Sequence, residues 1–215
     1  MLEFQKILLL RTKMSKDLFA DKSKHWDMKS RRVQGAKAIA ETIMENVSLN
    51  KKMHLMDFGA GTGLLSYCIS DKIAKVTAVD NSPSMLEVFH EKSDNFRCET
   101  DVLELDFSKD TLASNMKFDG IVSSMTIHHI EDIEVMLKKM YDLLTPNGFI
   151  ALADLDTEKG DFHSDNRGVF HFGFDREKLM ELAQKVGFKE VKMVDANTIN
   201  KPQATYGVFL LMGYK

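Results

Sequence analysis

The residues best suited to chemistry are a glycine-rich string that opens with an acid, DFGAGTG at positions 57–63, and a second acid, Asp80. Glycines permit a tight turn and let a ligand approach the backbone closely. Asp80 lies about 20 residues further on, at the end of an apolar segment, where a carboxylate can accept hydrogen bonds from ribose hydroxyls. The turn and the acid together predict a site for a ligand that contains a nucleoside.

The glycine spacing separates two kinds of nucleotide site. A dinucleotide fingerprint needs G-x-G-x-x-G, but the third glycine here, Gly63, comes one residue early and Leu64 occupies the expected place. The string also lacks the Gly-Lys-Ser/Thr of a phosphate-binding P-loop. The spacing therefore disfavours a pyrophosphate ligand, and with it a nicotinamide oxidoreductase.

Strand-like and helix-like segments alternate along the chain and would position this turn. The alternation predicts an α/β fold with a doubly wound, mostly parallel sheet and helices on both faces. Only a loop, 198–205, joins the last two strands, so they should pair antiparallel. We expect a seven-stranded, Rossmann-like sheet with an antiparallel C-terminal hairpin, in a single domain over residues 1–215. The predicted strands are 53–58, 75–80, 95–99, 118–124, 149–153, 189–196 and 206–214.

The composition limits the class of protein. Of 215 residues, 44% are apolar and 28% are charged, which argues against disorder and against a disulfide scaffold. Cys68 and Cys98 show no Cys-x-x-Cys spacing, so neither structural zinc nor a secreted disulfide framework is expected. The apolar run at 7–10 is too short for a membrane span or a signal peptide. We expect a cytoplasmic protein with no membrane partner, and the oligomeric state stays open.

The acid that opens the turn, the G-x-G-x-G spacing and the acid that ends the second strand resemble the class I S-adenosylmethionine-dependent methyltransferases. The resemblance covers about residues 15–215. It includes VDNSPSML at 79–86, FDGIVSSMTIHHI at 118–130, LTPNGFIALAD at 144–154 and VGFKEV at 186–191. It implies an enzyme with S-adenosyl-L-methionine as its cofactor.

The resemblance also implies roles for individual residues. Asp57 would hold the methionine amino group, directly or through water, and Gly59, Ala60 and Gly61 would let the backbone pass beside the cofactor. Asp80 would take the ribose hydroxyls. The other implied contacts are Asn81 and Met85 beside the adenine, Asp101 and Val102 after strand three, with Asp106 as a rival for the adenine amine, and Ser123 and Ser124 beside the methionine.

The N-terminal residues are open to several interpretations. The string FADKSKHWD at 19–27 is similar to the element that closes over the cofactor in quinone-type and related small-molecule methyltransferases, which makes residues 1–30 an extension or lid. Trp26 would form an aromatic wall against the sulfonium, or simply anchor a helix. Residues 11–37 carry nine Lys and Arg against three Asp and could track phosphates. Because this arm lacks interleaved aromatics, a solvated helix face is the simpler explanation, and we do not expect nucleic-acid binding.

Methyl transfer from a sulfonium is a direct displacement, so the protein must mainly align the acceptor and exclude water. A general base is needed only for an acceptor that loses a proton. His128 and His129, just past strand four, are candidates, although either could instead pack and cap the next helix.

The polar segment 154–175 follows strand five and is expected to be an acceptor-side loop, with His163 and His171 as further catalytic candidates. A purely solvated loop is the alternative. Its His and carboxylate residues could also suit a metal, but their spacing matches no metal signature, so we expect none.

The sequence thus favours methyl transfer to a small organic acceptor. One alternative is an RNA or protein methyltransferase that uses the basic arm. Strand four, however, ends in SSMT instead of an Asn-Pro-Pro-aromatic signature. A second alternative is a partner subunit that binds the cofactor but is catalytically silent.

Overall fold

The computed structural model describes residues 17, 20, 23–107, 109–110, 112 and 116–215. Within this part of the chain, helices and strands alternate. The α-helices are α1 Ser30–Asn46, α2 Leu64–Ile69, α3 Pro83–Glu91, α4 Ile133–Leu143 and α5 Arg176–Val186. The strands are β1 His54–Phe58, β2 Lys75–Asp80, β3 Glu99–Glu104, β4 Phe118–Ser124, β5 Leu144–Leu155, β6 Lys189–Asn200 and β7 Thr205–Tyr214.

The seven strands form one sheet in the order β3-β2-β1-β4-β5-β7-β6. β7 runs antiparallel to both β5 and β6, and the other neighbouring pairs are parallel. The predicted α/β sheet with its antiparallel C-terminal hairpin is therefore confirmed. The strand order reverses between β1 and β4, and in open α/β sheets the crevice beyond the strand ends at such a point is where ligands bind.

Apolar side chains cover both faces of the sheet. Successive residues of a strand point to opposite faces, so Leu55 of β1 packs on the side of α1, α2 and α3, and Met56 packs on the side of α4 and α5. Both side chains are fully buried. Strands buried on both faces have continuous apolar runs, as β5 does with FIALA at 149–153. No helix in the described part of the chain is long and apolar enough to cross a lipid bilayer.

Side-chain caps fix the ends of two helices, as predicted. The Ser82 hydroxyl accepts a hydrogen bond from Met85 N at the start of α3, and Pro83 occupies the first helical position. The Asp175 carboxylate accepts from Lys178 N at the start of α5, and Gly187, with φ of 119°, ends that helix.

The predicted third strand, 95–99, lies before the observed one, since β3 runs from Glu99 to Glu104. The expected strand 95–99 is mostly a turn, since Ser93–Asn95 is a short 3-10 helix, and β3 begins only at Glu99. β3 is an edge strand with partly exposed side chains, so its apolar pattern is weak in the sequence.

Strand five begins earlier than predicted. Leu144 already adopts extended angles, so α4 ends before Pro146 and Gly148, which lie inside β5 instead of stopping the helix. This first part of β5 is irregular, with a register shift against β4. β6 also extends four residues past its predicted end at 196.

Candidate active site

The glycine turn between β1 and α2 is tied to the neighbouring strand β2. Gly59 N and Ala60 N donate to the carbonyl oxygen of Val79 at 2.8 and 3.2 Å. Gly59, Gly61 and Gly63 have φ of 67°, 54° and 81°, in the left-handed region that favours glycine. The backbone geometry therefore accounts for all three glycines of the string.

The three glycines differ in what surrounds them. A Cβ on Gly59 would lie 2.1 Å from the Thr126 side chain, and one on Gly63 would lie 2.5 Å from the Phe89 ring. A Cβ on Gly61 would meet no atom of the described residues within 4 Å. Gly59 and Gly63 thus allow close packing inside the protein, whereas Gly61 borders open space that a ligand can occupy.

Asp80 ends β2 and its carboxylate is held by the backbone. Oδ2 accepts a hydrogen bond from Gly61 N at 2.8 Å, and Oδ1 accepts from Ser82 N at 2.9 Å. Burial raises the pKa of Asp80, and the backbone donors oppose that rise. The acid and the turn predicted to form one nucleoside site therefore lie in direct contact at the carboxyl edge of the sheet.

Asp57 lies beneath the turn and is buried. The Ser66 hydroxyl of α2 donates to its Oδ2 at 2.5 Å. Burial raises the pKa of Asp57 to about 7, and the charge of Asp80 adds to this rise, although the Ser66 hydrogen bond opposes it. A cation bound beside the turn would favour the ionised form of Asp57.

The residues predicted after strand three are not at the carboxyl edge. Asp101 is the third residue of β3, and its carboxylate lies 2.6 Å from the Lys75 ammonium. Val102 follows it and is exposed. That placement was wrong because β3 is displaced along the chain. Asp106, the rival, comes two residues after β3, where Leu105 N donates to the Asp80 carbonyl oxygen.

The other predicted cofactor residues are split between surface and interior. Met85 is buried in the first turn of α3, while Asn81 is exposed beside Asp80. Ser123 is buried, and its hydroxyl donates to the Phe58 carbonyl oxygen at 2.7 Å, so it joins β4 to β1. Ser124 is partly exposed at the end of β4.

Two acids near the N-terminus contact the glycine turn and α3, and sequence reasoning missed both. Asp27 accepts from the Thr62 hydroxyl at 2.6 Å and forms an ion pair with Lys92. Asp17 accepts from the Ser82 hydroxyl at 2.9 Å. These contacts join the described part of residues 1–30 to the glycine turn and to α3.

Trp26 is paired with Arg32, whose guanidinium carbon lies 3.4 Å from the ring centroid. Other parts of the predicted N-terminal features, including Phe19 and residues 1–16 with the start of the basic arm, lie outside the described residues. This contact holds the indole of Trp26 against Arg32, which lies in the first turn of α1.

Three of the four predicted catalytic histidines come together beyond β4. The ring centroids of His128 and His129 are 4.2 Å apart, and those of His128 and His163 are 4.9 Å apart. His128 is buried, and its Nδ1 lies 2.8 Å from Oδ1 of Asp154. Burial, and then the neighbouring histidines, lower the pKa of His163 to about 4.

The rings of His129 and His171 donate hydrogen bonds to loop carbonyl groups. His129 Nδ1 donates to the Gly168 carbonyl oxygen at 2.6 Å. His171 Nε2 donates to the Ile130 carbonyl oxygen at 2.9 Å, and its ring packs on Phe174. His171 therefore holds the loop between β4 and α4, and it differs from His163, whose Nε2 is buried without a hydrogen-bond partner among the described residues.

The segment 154–175 is anchored at several points. Its first two residues belong to β5, and a bridge between Asp156 and Phe174 closes its base. The Arg176 guanidinium donates twice to the Asp156 carboxylate, at 2.6 and 2.8 Å. Near the tip of the β6–β7 hairpin, the Lys201 ammonium lies 3.5 Å from the centroid of the Phe162 ring. These contacts hold the segment against the start of α5 and the β6–β7 hairpin.

The acids of this segment are engaged with protein groups. Besides Asp154 and Asp156, Asp161 accepts a hydrogen bond from the Tyr206 hydroxyl at 2.8 Å. Within the described ranges, no group of three or more His, Cys, Asp or Glu side chains is arranged to hold a metal ion.

Comparison with known proteins agrees with this geometry. A family model described as a methyltransferase domain matches residues 56–150. An uncharacterized methyltransferase of Schizosaccharomyces pombe is 31% identical over 182 residues, which are 78% of this chain and 62% of that protein. A ubiquinone biosynthesis O-methyltransferase of Pelagibacter ubique is 32% identical over 108 residues, or 49% of this chain and 43% of that protein. The chain thus spans less than two thirds of the length of these curated relatives.

A solved structure supports the fold. The phosphoethanolamine N-methyltransferase 2 of Haemonchus contortus, in complex with S-adenosyl-L-methionine, superimposes with a TM-score of 0.65 at 16% identity. The match covers 94% of this chain and 60% of that one. It shows a shared fold, and with the sequence matches it agrees with the predicted resemblance to the class I S-adenosylmethionine-dependent methyltransferases. The predicted resemblance is therefore confirmed.

The surroundings of the turn predict that two glycine substitutions lower the free energy of unfolding by different amounts. Gly63→Ala should lower the free energy of unfolding by roughly 2–5 kcal/mol, because it adds a clash with the buried Phe89 ring to the strain of a left-handed residue. Gly61→Ala should cost only about 1–2 kcal/mol, the strain alone. Urea denaturation of both variants would measure the difference, and equal costs would contradict the packing described.

The buried Asp57 predicts a dependence of stability on pH. Between about pH 4 and 7 the folded protein keeps a proton on Asp57 that the unfolded chain, with an ordinary pKa of 3.8, has lost. The free energy of unfolding contributed by this group should therefore fall as pH rises through that window and level off above it. Asp57→Asn cannot titrate, so its profile should lack this fall. Urea denaturation at several pH values would compare the two proteins, and parallel profiles would count against the buried, protonated Asp57.

Proposed function

We propose that this chain transfers the methyl group of S-adenosylmethionine to a small organic acceptor by direct displacement. The observation that carries the proposal is the contact between Gly61 and Asp80 beside open space. A backbone without a Cβ and a carboxylate meet there at the carboxyl edge of the sheet. Such an edge can hold a nucleoside, with the ribose hydroxyls donating to the carboxylate.

The residues present fit the cofactor. Asp80 would hold the ribose, the backbone at Gly59–Gly61 would pass beside the cofactor, and Asp57 would face the methionine amino group. Since Asp57 is buried and bonded to Ser66, its action through water or through charge is favoured over direct contact. S-adenosylmethionine supplies a methyl group made electrophilic by a sulfonium. The protein contributes binding, alignment and the exclusion of water.

The acceptor would bind under the segment 154–175. This segment packs over the residues after β4, because Phe170 N and His171 N both donate to the His128 carbonyl oxygen. A cover in this place can orient the acceptor and keep water away from the methyl group. His163 contributes a ring that is uncharged at neutral pH, since its pKa is lowered to about 4.

A small acceptor is favoured over RNA by the contacts of the basic residues in the described part of the arm. Arg32 stacks on Trp26, and an Arg31 guanidinium nitrogen donates to the Asn200 carbonyl oxygen. These two arginines, held in this way, are engaged with protein groups and are less available to phosphates. The match to a ubiquinone biosynthesis O-methyltransferase supports a quinone-like branch of the family.

The free thiols of Cys68 and Cys98 fit a reducing, cytoplasmic location.

The direct test is methyl transfer from S-adenosylmethionine labelled in its methyl group. The purified protein should label a small molecule in a metabolite extract. Label in RNA or protein, with none in small molecules, would overturn the small-acceptor proposal. Cofactor binding without transfer to any fraction would indicate a catalytically silent subunit.

A histidine substitution tests the acceptor side. His163→Ala should lower turnover by at least about 10-fold, because it removes a positioned group from the cover, while the affinity for S-adenosylmethionine stays within a few-fold. His90→Ala, an exposed histidine on α3, is the matched control and should change neither quantity. Calorimetry would give the affinity and labelled cofactor the turnover. Normal turnover in His163→Ala would remove this residue from the acceptor site.

A further inference from the structure

We infer that Asp154 and His128 form a dyad in which His128 Nε2 takes a proton from the methyl acceptor, so that the acceptor carries an ionisable hydroxyl. This inference rests on the proposed function for the identity of the reaction. It names an acceptor class and adds Asp154 as a positioning residue. Neither follows from the cofactor half of the molecule.

The contacts of Asp154 determine which nitrogen of the His128 ring carries the proton. Asp154 is the penultimate residue of β5 and is fully buried. Its Oδ1 lies 2.8 Å from His128 Nδ1 and 2.7 Å from Leu155 N, and its Oδ2 lies 3.2 Å from His128 N. A carboxylate can only accept hydrogen bonds, so Nδ1 of His128 carries the proton. The lone pair of the neutral ring is then on Nε2.

That Nε2 atom is buried and has no hydrogen-bond partner among the described residues. The same holds for Nε2 of His163, whose ring packs against His128. A buried polar atom without a partner is costly, so two of them in neighbouring rings call for an explanation. A hydroxyl group both donates and accepts hydrogen bonds, and it matches a pair of imidazole nitrogens. The two unpartnered atoms therefore point to a hydroxyl ligand.

The position of the dyad relative to the cofactor turn also suits a reacting group. His128 follows Thr126 by two residues, and the Thr126 hydroxyl donates to the Gly59 carbonyl oxygen at 3.3 Å. Thr126 thus links the glycine turn to the histidines. Since Nε2 is covered, the segment 154–175 must open to admit the acceptor, and His163, which is only partly buried, moves with it.

The proton transfer and the methyl transfer balance without any further reactant. The O–H bond of the acceptor breaks and its proton passes to His128 Nε2. The oxygen forms the new bond to the methyl carbon, and the carbon–sulfur bond breaks with its electron pair left on sulfur, giving a neutral thioether. The Asp154 carboxylate stabilises the imidazolium that forms, as in other Asp–His pairs. His128 then releases the proton to water when the segment opens.

Nitrogen-15 NMR of the full chain, labelled at histidine and free of ligands, tests the dyad without any methyl transfer. In the wild-type protein, at a pH where the ring is neutral, His128 should be the Nδ1–H tautomer with Nε2 unprotonated. In Asp154→Asn the amide can donate to Nδ1, so the Nε2–H tautomer should predominate. Asp165→Asn, an exposed acid of the same segment, is the control and should not change the tautomer. The Nε2–H tautomer in the wild-type protein, or the same tautomer in Asp154→Asn, would overturn the dyad.

Labelled methyl transfer tests the acceptor class. Products from a metabolite extract should carry the label on oxygen, and label found only on nitrogen or sulfur would overturn the inference. His128→Gln and Asp154→Asn should lower kcat by on the order of 100-fold, with little change in the affinity for S-adenosylmethionine. Unchanged kcat in His128→Gln would also overturn it. If no transfer occurs at all, the proposed function fails, and the tautomer measurement still decides the dyad.

Discussion

The hydrogen bond from Gly61 N to the Asp80 carboxylate is the interaction on which the proposed cofactor half of the site depends. It requires β1 and β2 to end at the same level, and their parallel register, with Phe58 opposite Val79, provides this. It also requires a residue without a Cβ in the left-handed region, which Gly61 supplies at φ of 54°. Register and backbone conformation together produce a carboxylate beside an open stretch of main chain.

The proposed acceptor half depends on a second register, that between β4 and β5. Ser124 lies opposite Ala153, so the chain leaving β4 passes beside Asp154. The Asp154 carboxylate then meets both the backbone and the ring of His128. Thr126 joins the two halves through Gly59. The strand order reverses between β1 and β4, so the two halves follow the carboxyl ends of adjacent strands.

Local patterns predicted the structure around the glycine turn better than the structure beyond β4. The glycine turn, Asp80 and the capped helix at Ser82 follow from residue types at short spacing, because turn geometry and capping are local. Asp101 was misplaced because β3 is an edge strand whose start depends on pairing with β2, which the sequence does not show. The contacts of Asp27 with Thr62 and of Asp154 with His128 join residues 35 and 26 positions apart, and only the folded chain brings them together.

The central claim is that the carboxyl edge at Asp80 binds the nucleoside of S-adenosylmethionine. Calorimetric titration of the purified protein with S-adenosylhomocysteine, the demethylated product, tests it most directly. The wild-type protein should bind, and Asp80→Ala should lose about 1.5–3 kcal/mol for each charge-assisted hydrogen bond removed. Asp94→Ala, an exposed acid after α3, should bind as the wild type does. Equal affinity in Asp80→Ala and the wild-type protein, or no binding by the wild-type protein, would contradict this account of the site.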